Sequence, residues 1–270
     1  MKKIIMLVFM LVAGFSLIFG QTGGELETEV RFYDDEVSNI SSFMVWKLFD
    51  TGSNSDFELS LMLESDTLQD RLTASPGAIL LLSEGVIRLG SEFYLDYFAE
   101  DEDVETSQSF WLGLYGRGEQ LKGNLRGKVW TNFDSSVEYY AEAQGEVELR
   151  EDNIVATIGQ GLDWSHYVNN DLDYESDTIS AETSFAVSYV TYLNPFIAAT
   201  MQHQWFQSEH ETNDWTHEWT YSNSLLLETG INPDSHKFTL TLFAEVPLFS
   251  EIEDADDNPT FGLRVKAELF

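Results

Sequence analysis

Residues Gln120 to Arg150 alternate apolar and polar positions along two long runs joined by a short turn. On the first run Leu121, Gly123, Leu125, Gly127 and Val129 share one parity, and Lys122, Asn124, Arg126 and Lys128 share the other. After Asn132 to Ser135, Val137, Tyr139, Ala141, Ala143, Gly145, Val147 and Leu149 alternate with Glu138, Glu142, Gln144, Glu146 and Glu148. Period two predicts β-strands, because successive side chains point to opposite faces. An ordinary strand covers about 5–6 residues, and these runs are about twice as long. That length suits a strand that crosses a hydrocarbon layer, apolar side outward and polar side inward.

The same alternation recurs along the chain. Leu26, Thr28, Val30 and Phe32 oppose Glu25, Glu27, Glu29 and Arg31. Further strands are expected over Ser42–Phe49, Phe57–Leu63, Arg71–Leu82, Ile87–Leu95 and around Phe110–Leu114. Beyond the Gln120–Arg150 hairpin they follow over Ile154–Tyr167, Thr178–Leu193, a run ending near Trp205, His217–Ile231, Lys237–Glu245 and Phe261 to the terminus. The reading is an all-β, antiparallel up-and-down transmembrane barrel of about fourteen strands. Twelve remain if Ser42–Phe49 and Arg71–Leu82 are not strands. Arg71–Leu82 is the weakest, because Pro76 removes a ladder donor. Tight turns at Ser83–Gly85, Glu151–Asn153, Asn194-Pro195 and Asn232–Ser235 alternate with acidic connections at Asp34–Glu36, Asp101–Asp103, Asp171–Asp177, Glu209–Asp214 and Glu251–Asp257. Short turns on one side and longer loops on the other fit a membrane barrel.

The chain begins Met1-Lys2-Lys3 and continues with an apolar run, Ile4 to Phe19, a pattern that predicts a signal peptide over residues 1–20. Residues 21–270 are then one barrel domain. No later segment approaches 18 consecutive apolar residues, so no spanning helix is expected. The chain has no cysteine, which excludes disulfides, a thiolate nucleophile and thiolate metal sites. At the other end Phe261, Leu263, Val265, Ala267 and Leu269 share one parity, and Phe270 lies off it. An amphipathic final strand closed by an aromatic residue resembles bacterial outer-membrane β-barrel proteins of the porin-like kind. The resemblance implies an outer-membrane location, contact with outer-membrane lipid, and recognition by the barrel-assembly machinery.

Charge narrows the function. Forty-seven acidic residues stand against 14 basic ones, a net of −33. Phosphate binding needs a basic face, so nucleic acid is not an expected partner. The acid is dispersed among many Phe, Tyr and Trp residues, unlike a disordered acidic tail. Aromatics gather near expected strand ends: Tyr94, Tyr97, Phe98, Trp130, Phe133, Trp164, Tyr167, Tyr192, Phe196, Trp205, Phe206, Trp215 and Trp219. Interfacial girdles have that placement. A soluble sandwich using such rings to stack on sugars is the competing architecture.

The candidate chemistry lies on the polar parity. The expected pore-lining residues are Glu27, Glu29, Arg31, Arg88, Lys122, Arg126, Lys128, Glu138, Glu142, Glu146, Glu148, Glu182, Lys237, Arg264 and Lys266. The hairpin register sets Lys122 against Glu146 and Arg126 against Glu142. Barrel closure brings Arg264 and Lys266 beside Glu27 and Glu29. An acidic lining favours cations. The function expected is passive diffusion of small hydrophilic solutes, with a cation preference and no cofactor. The alternatives are a structural or adhesive barrel, a lipid hydrolase, and a secreted carbohydrate-binding sandwich. Ser165-His166 with Asn169 supplies hydrolase residue types, but strand neighbours point to opposite faces. His203, His210, His217 and His236 lack close metal-ligand spacing. Asp254, Asp256, Asp257 and Asn258 offer oxygen ligands without the full calcium-loop pattern.

Overall fold

The computed structural model describes residues 22–32, 37–51, 55–99, 103–118, 120–133, 135–172, 174–210, 219–233, 237–251 and 258–268. These form fourteen strands: β1 (Thr22–Phe32), β2 (Val37–Asp50), β3 (Ser55–Asp66), β4 (Arg71–Leu82), β5 (Ile87–Phe98), β6 (Asp103–Arg117), β7 (Leu121–Thr131), β8 (Ser136–Glu151), β9 (Ile154–Asn169), β10 (Tyr174–Tyr189), β11 (Pro195–His210), β12 (Thr220–Ile231), β13 (Phe238–Ser250) and β14 (Thr260–Glu268). Every strand pairs antiparallel with its neighbours in sequence, and β1 pairs with β14 to close the barrel. The fourteen-strand architecture is therefore the one adopted, and β2 and β4 rule out twelve.

Pro76 stands inside β4. It pairs with Leu61 on β3, while the β4–β5 ladder passes from Ala74–Leu95 to Gly77–Glu92 and leaves Pro76 out. The missing donor thus falls at a gap in one ladder, where its cost is small.

The two faces of the wall are sharply different. Leu121, Leu125, Leu162, Ile197 and Phe261 are exposed on one face. Glu29, Ser107, Ser109, Ser136, Glu142 and Thr241 are buried on the other. On that second face Arg264 of β14 reaches Glu228 of β12, and Arg31 of β1 reaches Glu245 of β13. Contacts that skip a strand belong to the concave side, where side chains converge. The barrel is apolar outside and polar inside, the reverse of a globular domain. Backbone ladders and interior polar contacts hold the wall together, with few buried apolar side chains such as Phe243 and Val155 among the described residues of the concave side.

Turn chemistry follows the residues. Asp152 takes φ 49° between the paired Glu151 and Ile154. Ser83, Glu84 and Gly85 all have positive φ. β10 ends at Tyr189, short of the Leu193 expected. Asn194, with φ 39°, accepts a bond from the Thr191 N–H through Oδ1 at 2.8 Å, which closes the turn after β10.

The long acidic loops expected opposite the termini are mostly short. Connections 33–36, 67–70, 99–102, 132–135 and 170–173 each span four residues. Strands run on into the acidic stretches, as at Asp103, Glu105, Glu175 and Asp177. Backbone pairing such as Glu175 with Glu209 continues there, because the ladder does not depend on side-chain polarity.

The aromatic girdle needs a similar correction. Trp164, Trp205 and Tyr97 share the outer parity, whereas Tyr94, Trp130, Tyr167 and Phe206 share the interior one. Residues 1–20, Asp34–Glu36, Trp215, His217, His236, Asp254–Asp257, Leu269 and Phe270 lie outside the described residues.

Candidate functional site

The interior of the barrel gathers most of the chain's ordered charge. β7 and β8 pair in the register expected from their alternation, with Lys122 opposite Glu146 and Arg126 opposite Glu142. Lys122 Nζ donates to Glu146 at 3.0 Å and lies 3.9 Å from Glu148. Arg126 donates to Glu142 at 2.5 Å. The two pairs differ in setting: both partners of the first are about two-fifths exposed, whereas the Glu142 side chain is 6% exposed. Tyr140 completes the second by donating its hydroxyl to Asp163 at 2.9 Å and approaching Glu142 at 3.2 Å. That hydroxyl bridges two carboxylates which the β8–β9 register sets directly opposite each other.

A second cluster closes the β1–β14 seam. Arg264 lies 2.5 Å from Glu29, 3.6 Å from Glu27 and 3.3 Å from Glu228. Arg31 donates to Glu29 at 2.5 Å. Lys266 meets Glu25 at 2.8 Å and Glu27 at 4.0 Å. Beneath the two guanidiniums lies the buried ring of Phe243, 5.7 Å from Arg31 and 5.3 Å from Arg264. Phe243 in turn packs over Gly262, where a Cβ would collide with the ring. Five carboxylates (Glu25, Glu27, Glu29, Glu228 and Glu245) thus meet three cations along this seam, so it stays net acidic.

The remaining expected lining residues fall as follows. Arg88 donates from Nε to the Gly85 carbonyl at 3.1 Å and lies 4.1 Å over the Tyr115 ring. Lys128 lies 5.8 Å over Tyr94, whose hydroxyl bonds Glu92 at 2.5 Å. Glu138 shares the interior parity, opposite Trp130 and Tyr167. Glu182 lies against Gly161, where a Cβ would come within 2.6 Å of its Cγ. Lys237 is the exception. It occupies the turn before β13 with φ 48°, and its carbonyl accepts the Glu268 N–H. Lys237 therefore sits at the rim rather than in the wall, because its left-handed backbone cannot continue a strand.

The interior side chains among the described residues leave open recesses. One recess of about 460 Å³ is bordered by Asp163, Ser180, Glu182, Gln202, Gln204, Ser222, Ser224 and Glu245. Another of about 600 Å³ is bordered by Arg88, Tyr115, Arg117, Lys122, Asn124, Gln144, Glu146, Glu182 and Ser184. Glu182 belongs to both.

The histidines take other places. Ser165 pairs with Tyr140 on the interior parity, whereas His166 pairs with Tyr139 on the outer one. The two side chains therefore leave opposite faces, and His166 Nδ1 lies 3.2 Å from Asp177. His203 Nδ1 meets the Tyr221 hydroxyl at 2.7 Å. Among the described residues no group of three or more His, Asp or Glu side chains converges as metal ligands do.

Several interior groups were not among the expected lining residues: Glu25, Asp163, Glu228 and Glu245, the amides Gln202 and Gln204, and the rings of Tyr94, Tyr115, Tyr140 and Phe243. A signal existed for the rings. Each is an aromatic on the polar parity of its strand, where lipid cannot account for it.

Comparison with known proteins gives the fold and no more. No family model matches the chain, and no curated protein matches it. Among solved structures it is similar to CdiB from Acinetobacter baumannii (TM-score 0.53, 11% identity, 93% of this chain and 60% of that one). It is also similar to a loop-deleted OmpT, an outer-membrane protein of Vibrio cholerae (TM-score 0.53, 11% identity, 92% and 98%). A bacterial polysaccharide outer-membrane secretin matches comparably (TM-score 0.53, 9% identity, 93% and 99%). The chain spans about three fifths of CdiB's length. Its architecture is that of outer-membrane β-barrels.

Proposed function

We propose that the protein resides in the outer membrane and acts as a passive, cation-preferring channel for small hydrophilic solutes. The observation that carries this reading is the acidic polar interior with unfilled recesses meeting at Glu182. The apolar outer face suits lipid, as in other transmembrane barrels. A wall rich in carboxylates lowers the energy of entering cations and raises that of anions. The reading needs no catalytic step. Export, insertion by the barrel-assembly machinery and contact with outer-membrane lipid belong to the same proposal.

Planar-bilayer recording under a potassium chloride gradient tests it. The expected result is stepwise conductance with a reversal potential of cation-selective sign. Glu182→Gln should move that potential toward zero. An anion-selective current counts against the reading. An insertion-competent barrel without conductance favours a structural or adhesive role instead. Extraction of the protein from cells without detergent would end the membrane assignment.

A further inference from the structure

The two interior recesses differ in charge: carboxylates are the charged groups of the first, and cations stand beside carboxylates in the second. In the first, bordered by Asp163, Glu182 and Glu245, no lysine or arginine contributes to the lining. Glu182 and Asp163 form no ion pair among the described residues; Asp163 only accepts the Tyr140 hydroxyl. Amides and hydroxyls of Gln202, Gln204, Ser222 and Ser224 also line it, with Pro247 and Phe249 at one side. Such a wall offers acceptors to an ammonium group.

The second recess lies toward the end that holds the termini, bordered by the 83–86 turn and the β6–β7 connection. Its cations are Arg88, Arg117 and Lys122, and its carboxylates are Glu84, Glu146 and Glu182. Lys122 is engaged by Glu146. Arg88 bonds a backbone carbonyl, lies over the Tyr115 ring and feels the Glu58 carboxylate without an ion-pair contact. Neither Arg88 nor Arg117 forms an ion pair among the described residues. The β6–β7 register also sets Arg117 directly opposite Lys122. Like charges facing across a ladder destabilise it, and a carboxylate placed between them removes that cost. Guanidinium donors fit a carboxylate in two-point geometry.

The recesses meet at Glu182, so one solute can touch both. We infer that the channel selects zwitterions, small solutes bearing an ammonium at one end and a carboxylate at the other. The ammonium is held by Glu182 and Asp163, and the carboxylate by Arg117 and Arg88. This rests on the channel reading and names its solute class. The acid-only recess lies on the side away from the termini, so a solute arriving from there leads with its ammonium end.

The test compares three probes of equal chain length: 6-aminohexanoate, hexanoate and hexylammonium. Binding to the detergent-folded protein is measured by calorimetry, with conductance recorded in parallel. The expected result is at least tenfold tighter binding of 6-aminohexanoate than of either singly charged probe. Glu182→Gln should bring its affinity down to that of hexanoate, and Arg117→Gln down to that of hexylammonium. Circular dichroism and heat-modified gel mobility confirm that both variants fold. Hexylammonium binding as tightly as 6-aminohexanoate overturns the inference, as does failure of all three to bind or indifference to both substitutions. An open channel without zwitterion preference defeats this inference alone. Absent conductance defeats the channel reading, while the binding series still decides the solute class.

Discussion

Arg264 on the last strand donates from Nε to Glu29 on the first at 2.5 Å, across 235 positions of sequence. The contact spans the one ladder that turns a sheet into a barrel. The Glu29 side chain is 10% exposed, and Arg31 is its second cation. Arg264→Met leaves Arg31 in place and should lower stability by about 1–2 kcal/mol, less than the usual loss for fully orphaning a buried charge. Adding Glu29→Gln should recover part of that loss. Denaturant unfolding in detergent micelles measures both. A loss below about 0.5 kcal/mol for Arg264→Met would place the pair among surface salt bridges.

The two ion pairs of the β7–β8 ladder should behave differently although both join directly opposite residues. Lys122 and Glu146 are both well exposed, so Lys122→Met should cost less than about 1 kcal/mol and the loss should shrink in high salt. Arg126→Met strips the cation from a carboxylate that is 6% exposed and already faces Asp163. That change should cost about 2–4 kcal/mol with little salt dependence. Equal losses for the two variants would show that exposure does not separate them.

Gly161 leaves the space in which Glu182 lies. A Cβ there would stand 2.6 Å from Glu182 Cγ and 2.9 Å from Oε1. Gly161→Val should push the carboxylate into the passage and cut single-channel conductance by about half or more, with the barrel still folded. Conductance at the unsubstituted level would mean that Glu182 has another rotamer clear of the passage.

The two faces of one strand region should tolerate arginine very unequally. Leu162 is mid-strand on the outer face and 54% exposed. Leu162→Arg should destabilise the membrane-inserted barrel by about 2–4 kcal/mol, as for cations at the lipid midplane. Ser180→Arg, on the interior face beside Asp163, should cost less than about 1 kcal/mol because its charge gains a carboxylate neighbour. Refolding into lipid vesicles with urea titration ranks the two. A reversed order would mean that the faces have been exchanged.

Much of this protein is legible in one dimension. Alternation assigns each side chain to a face, and a one-residue slip would exchange the faces of a whole strand. The Lys122–Glu146 and Arg126–Glu142 pairs follow from that parity plus one turn. The meeting of Arg264 and Lys266 with Glu29 and Glu27 follows from parity plus closure. Turn boundaries were less legible: Lys237 leaves the expected strand and β10 stops short of Leu193, beside left-handed backbone at Lys237 and Asn194 that period-two patterning does not encode. Loop lengths were misjudged because ladders continue through acidic sequence wherever a partner strand is present.

The sequence by itself determined which residues face inward, because side-chain direction along a strand is a local consequence of backbone geometry. Only the tertiary structure decided which inward residues meet when they are not ladder partners. Arg264 reaches Glu228 past an intervening strand, Phe243 underlies two guanidiniums, and Glu182 joins two recesses. Those relations depend on the curvature of a closed wall, which brings strands distant in sequence toward a common axis.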